Sequence, residues 1–553
     1  MTDSKSVALI LLISALFIVL MLPLRDSVYS DDVAFSQSVR HLLQTGELKV
    51  SEYTAASSIS HILWGSLFAK LLGFSFTSLN ISVIVFLPIL LISFYKLLRT
   101  IGVSTDKSLI FTLFFFSVPW IPFLTYTFMS DIPFLTLEVL TILFYLKYSK
   151  DKNIKYLTVS LVFASIAFLV RQLSLALIAG IVTSVLLNTK FSLKRVKKII
   201  LPLLIPLFTI IIYQIWLSVP GNKTMPQYFY EDQIKEVLKN FVPLTNISLN
   251  TRVFNLSLFL HRTLNYASQA MGLLFPLIFV LIISNIPKVK GFIKRNFRII
   301  IFSTAAAGLL YLLDVINFRK EYYAGFPLNE YEYESLFPIP WAHIWKYLVI
   351  LSIPFWSSLL AKTYTNRAQK MDAQKRYLLI TFLGVLFMTL ITFQSWDRYL
   401  LPFLPFVFIY LARVTKTLKF NTLISIPIVA LFLIDSIQMT KLRYDEAGLL
   451  YKIGNQLVQQ GVEPSTIDLN RDQGWDIWFY YEKGVQEQIK EANGDKTKIN
   501  FQIYPLPKKI IKYAIYTDRM IKYQKLDIDK DKTLFISFKS LFVTSKLTFL
   551  QKL

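Results

Sequence analysis

Val7-Ala-Leu-Ile-Leu-Leu-Ile-Ser-Ala-Leu-Phe-Ile-Val-Leu-Met-Leu-Pro-Leu24, followed after a short break by Tyr29-Ser30-Asp31-Asp32-Val33-Ala34-Phe35-Ser36-Gln37, decides the fold. The first run is long and apolar enough to cross a hydrocarbon core as a helix. It ends in Leu22-Pro23-Leu24-Arg25-Asp26, with no small-x-small cleavage site, so it reads as a retained anchor rather than a signal peptide. Two adjacent carboxylates beside a membrane are costly to hold near hydrocarbon, and such residues usually have a function. The polar segment they open reads as the start of a helix lying on the bilayer surface.

Composition agrees with the first run. The chain has 553 residues, is 54% hydrophobic and only 17% charged, and its mean hydropathy is +0.50. A soluble chain carries about 25% charged residues. The apolar excess falls in blocks of helix-spanning length, without the alternation of a transmembrane barrel. The chain is therefore expected to be an all-α polytopic membrane protein. Candidate spans are 7–24, 78–98, 108–125, 132–147, 156–171, 173–188, 199–219, 256–286, 299–318, 345–362, 377–394, 399–414 and 422–439, about thirteen in all. Cysteine is absent, which excludes disulfides, a thiolate nucleophile and cysteine-based metal sites. The net charge of +24 is spread over short loops between spans, so it reads as membrane topology and not as a nucleic-acid surface.

Those loops fix an orientation. With the amino terminus in the cytoplasm, Lys96/Arg99/Lys107, Lys147/Lys150/Lys152/Lys155 and Lys190/Lys194/Arg195/Lys197/Lys198 all fall inside. The acidic stretch Glu330-Tyr-Glu-Tyr-Glu334 falls outside. The apolar segment His61–Phe74 is short and carries Lys70, and counting it as a span would reverse every later loop. It is expected to lie at the outer interface. Residues 1–439 then form the membrane domain. Residues 440–553, charged and with strand-like runs such as Thr533-Leu-Phe-Ile-Ser-Phe538, form a small extracytoplasmic α/β domain.

On the outer side this topology gathers Asp31 and Asp32, Asp131, Arg171 with Gln172, His261 with Arg262, and Trp396-Asp397-Arg398-Tyr399. Carboxylates with guanidinium groups at one membrane face suit the binding of a phosphate-bearing lipid and deprotonation of a hydroxyl beside it. Plainer readings exist for several. Asp131, followed by Ile-Pro, suits a helix start, Arg171 can snorkel to headgroups, and His61 and His261 suit packing at the interface. Four histidines in a cysteine-free chain argue against a dedicated metal site.

Tyr29-Ser30-Asp31-Asp32-Val33-Ala34-Phe35, with Val39-Arg40, Leu43 and Thr45-Gly46-Glu47 after it, resembles the first outer loop of the GT-C glycosyltransferases. The branch it is most similar to holds the protein O-mannosyltransferases and the lipid A aminoarabinose transferases. The resemblance continues through Lys70-Leu71-Leu72-Gly73-Phe74, the Ser-Asp-x-Pro of Ser130-Asp131-Ile132-Pro133, and Arg398-Tyr399 with Pro402 and Pro405. Two departures stand out: Asp32 replaces the common Glu, and Ala55-Ala56-Ser57-Ser58 stands where Lys-Pro-Pro is typical.

The resemblance implies inverting transfer of a sugar from a polyprenyl-phosphate donor to a lipid, protein or polysaccharide acceptor at the extracytoplasmic face. It makes Asp31 the general base and Asp32 its orienting neighbour. Arg398 and Arg171 become the phosphate ligands, and Asp131, Tyr399 and His61 further substrate contacts. It admits a divalent ion, Mg or Mn, without requiring one. No nucleotide-binding loop is visible, which agrees with a lipid-linked donor. Two other readings use the same residues. A transporter or lipid flippase would place ionisable groups mid-span, with Asp314 and Asp435 as candidates. A surface-polysaccharide polymerase or ligase would share the transfer chemistry.

Overall fold

The computed structural model describes residues 1–28, 31–188, 193–239, parts of 262–309, 353–356, 372–391, 397–416, 420–469, and shorter pieces between 475 and 551. The candidate spans 299–318 and 345–362, with Asp314, His261 and the Glu330–Glu334 stretch, fall largely or wholly outside them.

The described residues are mainly helical. In chain order the helices are α1 Asp3–Leu20, α2 Asp32–Thr45, α3 Ile59–Leu72, α4 Phe76–Ile84, α5 Phe86–Thr100, α6 Thr105–Phe116 and α7 Trp120–Thr125. Then come α8 Asp131–Asp151, α9 Ile154–Val170, α10 Leu175–Asn188, α11 Leu193–Ser218 and α12 Met225–Lys239. The last are α13 Phe275–Ile283, α14 Ala373–Leu390, α15 Leu404–Val414, α16 Thr422–Gln459 and α17 Glu482–Glu491. Among the described residues, six helical stretches are long and apolar enough to cross a membrane: Asp3–Leu20, Phe76–Thr100, Asp131–Asp151, Ile199–Ser218, Ala373–Leu390 and Thr422–Gln459. The chain is a polytopic helical membrane protein.

Local chemistry sets the breaks that matter for the site. Gly46, at φ +76°, ends α2 in the left-handed conformation that favours glycine. Lys152 takes the same conformation after α8, and the Asn153 side chain then accepts from the Lys155 amide to start α9. This tight turn lays α9 back along α8, so the end of α9 returns to the start of α8. The expected span 108–125 is interrupted at Ser117–Pro119, between α6 and α7. Phe94, Phe111, Phe115 and Phe408 form a ring cluster that ties α5, α6 and α15 into one core.

α16 runs without a break from a hydrophobic first half into a polar second half, so the 439/440 boundary falls within one helix. Lys441 on it donates to the Met21 and Leu22 carbonyls at the end of α1 and pairs with Asp445 at 3.0 Å, which also accepts from Arg25. Beyond α16 a four-stranded sheet forms from β1 Ile467–Asp468, β2 Tyr513–Thr517, β3 Thr533–Ser540 and β4 Val543–Gln551, in the order β1-β2-β4-β3. β1 is parallel to β2, and β4 runs antiparallel to both β2 and β3. Trp475 is fully buried here with Tyr451 and Leu469, in a cluster that also takes Val28, Val33 of α2 and Met225 of α12.

Candidate active site

Two ion pairs build the site. Asp31, at the start of α2, pairs with Arg398, 367 residues later in the short 3-10 turn Asp397–Phe403. Asp131, in the first turn of α8, pairs with Arg171 at 2.7 Å. Arg171 occupies the C-terminal cap of α9, and its Nε donates to Ser130 Oγ at 2.9 Å. An anion at one helix N-terminus and a cation at the neighbouring C-terminus each sit at the favourable end of a helix dipole. The α8–α9 hairpin therefore brings two charges together that both helices already favour. Asp131 makes no cap of its own: Ser130 is the N-cap residue, and the Asp131 carboxylate is directed to the guanidinium.

The two pairs adjoin. Arg398 feels both Asp31 and Asp131, and its Nη1 lies 4.0 Å from Met129 Sδ. Burial works against its charge, but the two carboxylates more than offset that and raise its pKa further above the ordinary arginine value. Tyr399 lies in the same field. The Arg398 guanidinium lies 5.8 Å from its ring centre. Tyr230 on α12, a residue the sequence reading did not select, has its phenol pKa raised by burial and by Tyr399 and Asp31. It lies in a polar segment where an aromatic residue gives no contrast of its own.

Exposure separates the roles of the carboxylates. The side chain of Asp31 is 31% exposed, whereas that of Asp131 is 1% exposed and Asp32 as a residue is 1% exposed. Of the three, a molecule from outside can reach Asp31. His61 stands behind this layer. It is buried, its ring stacks on Phe128 at 4.2 Å and meets Phe35 edge-on at 5.3 Å, and its Nε2 lies 3.1 Å from the Phe128 carbonyl oxygen. Burial pushes its pKa down to about 4, which keeps it neutral. Gly65, one turn along α3, lets the Phe128 ring approach where a Cβ would collide with it. Arg262 is buried and donates to the Leu390 carbonyl at 3.1 Å.

Ala55-Ala56-Ser57-Ser58 is held by amides and hydroxyls. Gln172 Oε1 accepts from the Ser57 amide at 3.2 Å, the Ser58 amide donates to the Val170 carbonyl at 3.2 Å, and Gln227 Nε2 donates to the Ala56 carbonyl at 3.4 Å. Just before it, Glu52 is buried and pairs with Lys496 from the carboxyl-terminal region, while accepting from the Met225 amide at 3.2 Å. Lys496 also donates to the Lys223 carbonyl at 3.0 Å. The α2–α3 connection, the start of α12 and the carboxyl-terminal region are pinned at one buried acid. Trp478 adds a second contact, with the Arg40 guanidinium 4.1 Å from its ring centre and Phe76 edge-on at 4.8 Å.

A metal seat is not apparent in this arrangement. Among the described residues no three histidines or acids gather as a metal ion would need, and Asp31 and Asp131 are each engaged by a guanidinium. Within the spans, Asp435 is buried. So is Glu138, an intramembrane acid the sequence reading passed over although it interrupts an apolar run. Glu138 is 0% exposed, and neither of its carboxyl oxygens has a hydrogen-bond partner among the described residues.

The site thus sets an accessible carboxylate beside a mostly covered guanidinium at the end of a helical bundle. Residues 60–216, from α3 to the end of α11 and including His61, Asp131 and Arg171, match the family described as dolichyl-phosphate-mannose-protein mannosyltransferase. The matched segment contains Ser130-Asp131-Ile132-Pro133, one of the motifs by which the chain resembles the GT-C glycosyltransferases. No curated protein sequence matches the chain. Among solved structures, the crystal structure of ArnT from Cupriavidus metallidurans bound to undecaprenyl phosphate is 11% identical over 99% of this chain and 98% of that one, with a TM-score of 0.49. The same protein in its apo state, also 11% identical with the same coverage, gives 0.41. Superpositions this loose place no residue.

Proposed function

We propose that the chain is an integral-membrane glycosyltransferase that moves a sugar from a polyprenyl-phosphate carrier to an acceptor at the extracytoplasmic face, with inversion at the anomeric carbon. The proposal includes about thirteen spans, an inner amino terminus and an outer carboxyl-terminal α/β domain. The observation that carries it is the Asp31–Arg398 pair, a reachable carboxylate against a guanidinium that is only 13% exposed. The motif resemblance and the family match over residues 60–216 support the same class.

A hydroxyl is a poor nucleophile, so a carboxylate must take its proton as the new glycosidic bond forms. Asp31 is that base. The acceptor oxygen attacks the anomeric carbon from the face opposite the phosphate, and the carbon–oxygen bond to the phosphate breaks. The leaving group departs as a lipid phosphate whose charge Arg398 neutralises. Before the donor arrives, Arg398 is occupied by Asp31. The donor phosphate takes over the guanidinium and releases the carboxylate for the acceptor, so donor binding precedes base function. Arg171 holds Asp131 in place and adds positive field, while Tyr399 and Tyr230 donate hydroxyl hydrogen bonds to the sugar or phosphate. Asp32, buried beside Asp31, orients it or the acceptor.

Binding of a short-chain polyprenyl phosphate to the purified protein tests the assignment. Arg398→Ala is expected to weaken it roughly ten- to a hundredfold, the range of a lost charge-assisted contact, with a smaller effect on acceptor binding. Equal losses for donor and acceptor would make Arg398 structural.

A further inference from the structure

At the end of the bundle opposite the site, α1, α5 and α8 enclose an open groove of about 720 Å³. Its apolar wall is Val7, Ala8 and Leu11 of α1, and Lys96 and Lys147 stand at its rim. Arg99 also lines it, but its charge is engaged: Arg99 Nε pairs with Asp3 at 2.8 Å, and Tyr95 donates to the same carboxylate at 2.6 Å. The lysines differ. Lys96 is exposed, and its ammonium makes no ion pair or hydrogen bond among the described residues. Lys147 rests its ammonium over the rings of Phe144 and Tyr156, at 5.1 and 5.6 Å, with no anion beside it. The groove therefore holds two uncompensated positive charges above an apolar floor. Beyond Leu11, the exposed Leu12 and Leu16 continue the apolar track along α1 toward mid-membrane.

We propose that this groove binds an anionic glycerophospholipid, its phosphate between Lys96 and Lys147 and one acyl chain along Ala8, Leu11, Leu12 and Leu16. Charge complementarity selects the anionic headgroup. The groove's place at the start of a spanning helix supplies the acyl path, which a free phosphate would leave empty. A basic residue near an anionic membrane surface attracts anionic headgroups, and a partly walled groove screens that attraction less than an open loop does. The groove shares no residue with the Asp31–Arg398 pair and does not depend on the reaction assigned there.

Native mass spectrometry of the purified full chain tests it, with phosphatidylglycerol or phosphatidylcholine added. The wild type is expected to retain phosphatidylglycerol roughly tenfold better than phosphatidylcholine, as two basic contacts allow. Lys96→Gln/Lys147→Gln should lose that preference. Lys152→Gln/Lys155→Gln, on the same membrane face but outside the groove, should keep it, and a thermal melt confirms that both variants fold. Equal retention of phosphatidylglycerol by the wild type and the groove variant would overturn the proposal. So would an equal loss in the control variant, or displacement of the lipid by excess glycerol phosphate.

Discussion

Asp31 and Arg398 illustrate how a charged pair survives beside a membrane. Each alone would bear a desolvation cost of several kcal/mol, and together they offset it while leaving one carboxylate edge open. Asp131 and Arg171 form a second, more deeply sealed pair, which suits positioning rather than proton transfer. His61 behind them gives a pH signature. Its folded pKa is about 4, against roughly 6.5 in an unfolded chain. Between those values the unfolded chain takes up a proton that the folded one refuses. Stability is therefore unaffected by this group above about pH 7, and it falls as pH drops from 6.5 toward 4, by up to about 3 kcal/mol. Thermal unfolding at pH 7.5 and 4.5 checks this, and His61→Gln should show a clearly smaller drop between the two. Identical drops would remove His61 as the cause.

At the scale of elements, the hairpin of α8 and α9 and the pin at Glu52 do different work. The hairpin is set by the Lys152–Asn153 turn, and its helix ends favour the charges they carry. The pin joins the α2–α3 connection and α12 to the carboxyl-terminal region through one buried ion pair. Burial raises the pKa of Glu52, with Lys496 pulling the other way, so removing Lys496 leaves an acid that must protonate or move. Lys496→Gln is expected to cost about 3 kcal/mol and to speed hydrogen exchange at residues 223–230. Glu52→Gln/Lys496→Gln should recover part of both. Unchanged exchange in the single variant would show that α12 is held by other contacts. The ion pairs of the site were legible in sequence because each charge interrupts an apolar run or opens a motif, and interruption is visible without a partner. The pin was not. Glu52 and Lys496 sit in polar segments 444 residues apart, where neither stands out. Tyr230 escaped for the same reason, and the Asp131 cap reading failed because a cap and an ion pair begin from the same Ser-Asp-x-Pro.

For the whole molecule, hydropathy pointed directly to the helical membrane class, since most candidate blocks have the length hydrocarbon demands. It did not give the interruption at Ser117–Pro119 or the continuity of α16, because packing decides whether an apolar run bends or extends. The orientation rests on the basic loops and can be read experimentally, as the chain has no cysteine. An impermeant maleimide added to intact cells should label Lys235→Cys, and it should reach Lys152→Cys only in inverted membrane vesicles. Labelling of both from one side would break the topology on which the shared site depends. The most direct measurement incubates purified protein with radiolabelled polyprenyl-phosphate sugars and membrane extract, comparing wild type with Asp31→Asn. The wild type should move label to an acceptor, while the variant inserts, folds and retains donor lipid but transfers none. Full transfer by Asp31→Asn would contradict the account at its centre.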